Sequence, residues 1–195
     1  MELMTGFGLA TAAGLNAYIP MLMMGLLGRF TGLVHLPAGW SWLENGWVLA
    51  IVGALLIVEI VADKIPALDS INDTVQTFVR PTAGGIVFGS GSAAQTAAVT
   101  DPADFARTGQ WVPVVIGVVT ALVVHLTKTA VRPPANVATA GMAAPVLSTV
   151  EDVTSVGLVF VAILVPALVL VVLAALAWTA FLLLRRRRRR RLAAG

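Results

Sequence analysis

The sequence predicts an all-α, polytopic transmembrane helical bundle with broken or re-entrant segments and a degenerate internal repeat. Three observations carry that expectation. Of the 195 residues 58% are hydrophobic and only 12% charged, with a mean hydropathy of +0.90, whereas a water-soluble domain of this length needs far more polar surface. Several stretches approach the roughly 20 apolar residues that cross a bilayer. Glycines and prolines interrupt those stretches where polar residues also gather.

The net charge of +3 hides an asymmetry, because Arg185 to Arg191 supply seven of the 13 basic residues and the remainder carries −4 (3 − 7). The chain therefore divides into one transmembrane domain, residues 1–184, and a polybasic tail, residues 185–195. Arg185, Arg186 and Arg187 are expected at lipid head groups. There they fix the end of the last helix in the cytoplasm by the positive-inside rule, or bind anionic lipid. With no cysteine, disulfides and thiolate metal sites are excluded. The start, MELMTGFG, has an acid where a signal peptide carries bases, so no cleaved signal is expected.

Taken in order, residues 5–27 form the first expected span, lined with Gly6, Gly8, Gly14 and Gly25 for close helix approach. Asn16, Tyr18 and Pro20 sit in its middle, lining either a passage or a kink sealed by neighbours. Trp40, Trp42 and Trp47 read as an interfacial belt. Residues 47–62 are the second span. Pro66 should end that helix, and residues 68–79, capped by Asp69, read as a short amphipathic helix at the interface or plugging the bundle. Residues 82–99, rich in Gly, Ser and Ala, are a third span expected at the bundle centre.

After a polar turn, residues 111–127 are the fourth span, and KTAVRPPAN at 128–136 should break it at the double proline. Residues 137–150 are apolar but only about 21 Å long at 1.5 Å per residue, so they cross a thinned bilayer or re-enter. Residues 153–184 form the last helix, with Pro166 as a possible kink.

A shift of 64 positions sets WVLAIVGALLIVEIVADK over WVPVVIGVVTALVVHLTK, matching Trp47 with Trp111, Gly53 with Gly117, Lys64 with Lys128 and Asn72 with Asn136. This suggests repeat halves at about 5–80 and 82–150 followed by the last helix, a pattern familiar from transporters. One span separates the matched helices, so they should run parallel and end on the same side. Arg80 and Arg132 join Lys64 and Lys128 there against Arg29 and Arg107 opposite, which puts that side, and with it the N-terminus, in the cytoplasm.

The block EIVADKIPALDSIND, the following RPTAGG, the early GLNAYIP and the later RPPAN and AAPVLSTVED resemble the bacterial membrane family known as domain of unknown function 4126. The resemblance covers about residues 5–180 and implies an integral protein of the bacterial cell membrane. It implies no catalytic residue and no ligand.

Chemistry must then be read from the charges. Glu59 and Asp63 are one turn apart, so a helix keeping both needs a countercharge, a proton or a cation. Ionisable residues at that depth mark functional sites. A polar site is expected from Glu59, Asp63, Lys64, Asp69, Asp73 and Arg80 together with His125, Lys128, Arg132 and Asn136. It either binds a small ion or solute, with the breaks at Pro66 and Pro133 freeing backbone groups, or is an ion-pair network fixing helix register. His125 with Glu59 and Asp63 is a weaker metal set, lacking a second histidine at ligand spacing, and neither metal nor cofactor is expected. Glu151 and Asp152 read as solvated turn residues.

HExxH, GxSxG, a nucleophilic cysteine and a lipid-phosphatase histidine set are all missing, and the glycine-rich 84–92 lacks a Walker ending. An enzyme is therefore not expected. The expected partners are membrane lipids and a small ion or solute rather than nucleic acid. A transporter or channel-like protein is the first reading, and a non-transporting scaffold or accessory subunit with a lipid- or partner-binding tail the second.

Overall fold

A computed structural model describes residues 2–92, 109, 111–171, 173–175 and 178, apart from the side chains of residues 66, 67, 69, 70 and 92. The elements are α1 (Glu2–Leu15), α2 (Tyr18–Phe30), a 3-10 helix (Ala38–Glu44), α3 (Gly46–Ala62), α4 (Pro66–Ser92), α5 (Trp111–Ala138) and α6 (Ala143–Leu164). There is no strand among the described residues. α5 and α6 are each long and apolar enough to cross a membrane, and the 3-10 helix with α3, bent by 61°, makes a third candidate. The chain is thus an all-α membrane protein.

α1 is the central rod, packed against α4, α5 and α6. Its buried face is Gly6, Gly8, Leu9, Ala10, Ala12, Ala13 and Gly14, and such small side chains let backbones approach closely. A close approach joins α4 to α5: a Cβ on Gly84 would stand 2.7 Å from the Gly117 carbonyl oxygen and collide with Ala121. Thr77 meets His125, Gly84 meets Ala121, and Gly89 meets Val114, so α4 and α5 are antiparallel. Gly14 lies against Val124 and Leu15 against Lys128, so α1 runs parallel to α5.

The first expected span is instead a helical hairpin. Gly25 lies against Leu43 and Leu49, and Gly28 against Glu44. Trp40, three residues before Leu43, reaches Gly89, well beyond Arg80 toward the end of α4 where Phe88 meets Gly6. α2 therefore runs back alongside α1, and the reversal falls at Asn16 and Ala17. The side chain of Asn16 makes it: Oδ1 accepts from the Tyr18 and Ile19 amides, both at 3.1 Å, doing the work of an N-cap. Pro20 is the third residue of α2, within the first turn, where a missing N–H costs nothing.

This reversal corrects the expected sidedness of the N-terminus. α3 rises to the same end as α5, as the repeat suggested, but α1 begins at the opposite end of the bundle.

Two further breaks are absent. α4 runs unbroken from Pro66, its first residue, through Pro81 to Ser92, so residues 68–79 are not a separate helix. α5 likewise continues through Pro133 and Pro134 to Ala138. Those two prolines are exposed, and deprive only the Thr129 and Ala130 carbonyls of a helical donor. Residues 137–150 are neither a span nor a re-entrant segment. They contain the end of α5, a turn with Ala140 (φ 51°) and Gly141 (φ 89°), and the first turns of α6.

Pro166 does mark a change of direction. Ala162 and Val169 both lie against Gly8, although a straight helix would hold them about 10 Å apart. Residues 101–108, with Arg107, and the arginine tail, with Arg185, Arg186 and Arg187, lie outside the described residues.

The polar and apolar faces are reversed relative to a soluble protein. On α4, Gln76 and Arg80 are buried while Ile71, Val75 and Phe78 are 65%, 54% and 77% exposed. On α3 the buried residue is Glu59, whereas Trp47, Ile51, Ile57 and Val58 face outward. Water would not sustain this pattern, but lipid would.

Candidate functional site

The hairpin tip at Asn16 closes under a cluster of charges contributed by α3, α4, α5 and α6. Asp63, just past the end of α3, is its hub. Asp63 Oδ2 is 3.2 Å from Lys128 Nζ, 3.3 Å from Arg132 Nη2 and 3.6 Å from Arg80 Nη2. Its Oδ1 accepts from Asn72 Nδ2 at 2.6 Å. Burial by itself would raise the Asp63 carboxyl, but the cations of Lys128, Arg132 and Arg80 and the Asn72 bond more than offset it and hold it below the ordinary carboxylate range.

Beneath it, Arg80 and Glu59 form a second layer. Arg80 Nη2 donates to Glu59 Oε1 at 2.8 Å, with the two side chains 0% and 1% exposed. Glu59 Oε2 has no hydrogen-bond partner. Arg80 Nη1 lies 3.1 Å from His125 Nδ1, and His125 Nε2 lies 3.0 Å from Thr77 Oγ1. Because the Thr77 hydroxyl already donates to the Asp73 carbonyl at 2.8 Å, it must accept from Nε2–H. Nδ1 is then free to accept from the guanidinium, so the network assigns the Nε2–H tautomer. Asp73 Oδ1 stands 4.0 Å from Arg80 Nη1 and also lacks a hydrogen-bond partner, as does Gln76 Oε1. The Gln76 side chain lies beside the Tyr18 hydroxyl.

α6 supplies the outer acids. Glu151 Oε2 pairs with Lys128 Nζ at 3.0 Å and with Arg132 Nη2, and Glu151 Oε1 accepts from Arg132 Nε at 3.3 Å. Asp152 accepts from Asn16 Nδ2 at 2.9 Å and lies 3.9 Å from Lys64 Nζ. Lys128 Nζ also donates to the Leu15 carbonyl at 3.3 Å, an orphan acceptor at the C-terminus of α1.

Glu59, Asp63, Lys64, Asp73, Arg80, His125, Lys128 and Arg132 are thus brought together, with Asn16 and Tyr18 at the hairpin tip beside them. The Asp69 side chain lies outside the described residues. Asn136 instead supports the α5–α6 turn, its carbonyl accepting from the Gly141 amide at 2.8 Å, and no bond to the cluster is seen. His125 is bonded to Arg80 and Thr77, and no group of three or more His, Asp or Glu among the described residues is arranged to hold a metal.

Sequence reasoning misplaced Glu151 and Asp152, which are helical and paired rather than solvated turn residues. It also missed Asn72, Gln76 and Thr77 as members. Their one signal was shared spacing with Asp73 and Arg80 on a single face of α4.

A helical membrane protein with a buried, multi-helix charge cluster is the class these features define. Over residues 3–186 the chain matches the family described as Domain of unknown function (DUF4126), and it belongs to that family. No curated protein and no solved structure gives a match.

Proposed function

We propose that this protein is a small ion or solute transporter or channel-like protein of the bacterial cell membrane, whose polar site is the cluster around Glu59, Arg80 and Asp63. What carries the reading is one observation: Glu59, the buried residue of α3 and one turn from its C-terminal end, keeps Oε2 without a partner although Oε1 is bonded. A purely structural ion pair gains most when both carboxylate oxygens are satisfied. The hairpin reversal at Asn16 also supports it, since broken helices beside polar groups are how transporters expose backbone inside the membrane. Lys128 and Arg132 would attract the anionic part of a solute, and Glu59 would take a proton or cation.

The 64-residue correspondence belongs to this reading as a degenerate duplication whose two copies, α3 and α5, run parallel to one polar end. By the positive-inside rule that end is cytoplasmic, and the arginine tail contacts lipid head groups. The chemistry is not enzymatic on this reading, and no cofactor is involved.

The alternative is a non-transporting scaffold or accessory subunit, favoured by the dense pairing of Asp63 and Glu151 with three cations. Reconstitution into vesicles separates the two. A transporter passes at least one of a panel of ions and solutes and loses that flux in Glu59→Gln while staying folded. A scaffold passes none, and the substitution changes only its thermal stability.

A further inference from the structure

Among the described side chains the cluster holds five acids, Glu59, Asp63, Asp73, Glu151 and Asp152, and four bases, Lys64, Arg80, Lys128 and Arg132. Counted as ionised, with His125 neutral as its tautomer requires, they leave one negative charge uncompensated (4 − 5). A buried excess charge is costly unless something neutralises it.

The orphan atoms locate the deficit. Asp63 has bonds to both oxygens, Glu151 pairs through both, and Asp152 is bonded to Asn16. Glu59 Oε2 is a fully buried acceptor with no donor, and Gln76 Oε1, 2% exposed at the residue level, is a second on the adjoining face of α4. The Tyr18 hydroxyl is in reach of the Gln76 side chain and feels the charge of Glu59. A proton on Glu59 Oε2 would remove the excess charge and turn one orphan acceptor into a donor.

Arg80 makes such a proton consequential. It holds Glu59 at 2.8 Å, while Asp73 Oδ1, itself unpartnered, waits 4.0 Å from the other terminal nitrogen. The next residue, Pro81, has no N–H to give the Thr77 carbonyl, so α4 lacks one rung at this point.

Deepening the transport reading and resting on it, we propose that Glu59 is the exchangeable proton site of this cluster, and that its protonation hands Arg80 over from Glu59 to Asp73. The step balances simply. Water delivers one proton to Glu59 Oε2, the bond from Arg80 Nη2 to Oε1 is given up, and one from Nη1 to Asp73 Oδ1 forms. Release reverses it. The charged or titratable groups around Glu59 and its partner Arg80 are Tyr18 from α2, Asp63 beyond α3, Asp73 from α4, and His125 and Lys128 from α5. Asp63 stays ionised between its cations, His125 has its Nδ1 lone pair occupied by Arg80, and Asp73, less buried than Glu59, is the anionic acceptor that the hand-over needs, which leaves Glu59 to exchange.

The test is infrared difference spectroscopy of the purified full chain in lipid, titrated from about pH 9 to about pH 5. A carbonyl band of a protonated carboxylic acid should appear on acidification in wild type, be lost in Glu59→Gln and persist in Asp63→Asn. In Asp73→Asn its midpoint should move to lower pH, because Arg80 then turns to a neutral amide oxygen instead of a carboxylate and the protonated state is stabilised less.

A band that persists in Glu59→Gln, no titrating band at all, or a midpoint that follows sodium concentration overturns the proton site, the last result replacing the proton by an alkali cation. An unmoved midpoint in Asp73→Asn overturns the hand-over. These outcomes are independent of flux: a transporter without this proton site would still move its solute, and a proton site without transport would still titrate.

Discussion

Asp63 accepts from an amide on one oxygen and faces three cations with the other, so its burial becomes a pH-dependent source of stability. Its native pKa is depressed. The contribution is therefore complete above the unfolded value of about 3.9 and is lost as pH falls through the lower native value. Thermal unfolding of the solubilised protein should show an acid-side loss of stability confined to the region below about pH 4. Asp63→Asn should remove part of that loss while costing about 3 kcal/mol at neutral pH, because Lys128 and Arg132 stay buried with Glu151 as the one carboxylate they share. Equal acid sensitivity in the variant would contradict the assignment.

At this scale the sequence was informative wherever a charge interrupted an apolar run. Glu59, Lys128 and Arg132 stand out because lipid tolerates none of them unpaired. Gln76 and Thr77 did not, because an amide or a hydroxyl on a half-polar helix carries no comparable penalty. Glu151 and Asp152 were misread because two adjacent acids between apolar stretches look like a turn, and only the fold shows Arg132, Lys64 and Asn16 reaching them.

Among the elements, the prolines account for most of the difference between expectation and fold. Proline forbids a donor, not a helix. Pro133 is exposed, and α4 continues unbroken through Pro81, whereas the actual break at Asn16 depends on a side chain that caps the next helix. The packing of α4 on α5 is where element-level energetics concentrate, since their backbones meet at Gly84 and Gly117. Gly84→Leu should separate the two helices, lower stability by about 1–3 kcal/mol or more and disturb the contact of His125 with Arg80. Gly53, the counterpart of Gly117 in the 64-residue comparison, has nothing within 4 Å of an added Cβ. Gly53→Leu should accordingly change the melting temperature little, and an equal loss for both substitutions would contradict the packing described.

For the molecule as a whole, the composition announced a membrane protein, and the parallel course of α3 and α5 followed from their order. Sidedness did not, because a hairpin of 14- and 13-residue helices has the same hydropathy as one long span. Lacking cysteine, the chain allows a direct check. Single cysteines at Glu2 and Asn136 should be labelled by an impermeant thiol reagent from opposite faces of sealed vesicles, whereas an unbroken first span would put both on one face.

The most direct test of the transport reading uses vesicles loaded with a pH-sensitive dye, containing the full chain and placed under an imposed proton gradient with candidate solutes outside. The account predicts solute-dependent proton movement in wild type, abolished by Glu59→Gln with the fold intact. Solute movement that is unaffected by Glu59→Gln, or no movement of any solute or proton by the wild-type chain, would contradict it.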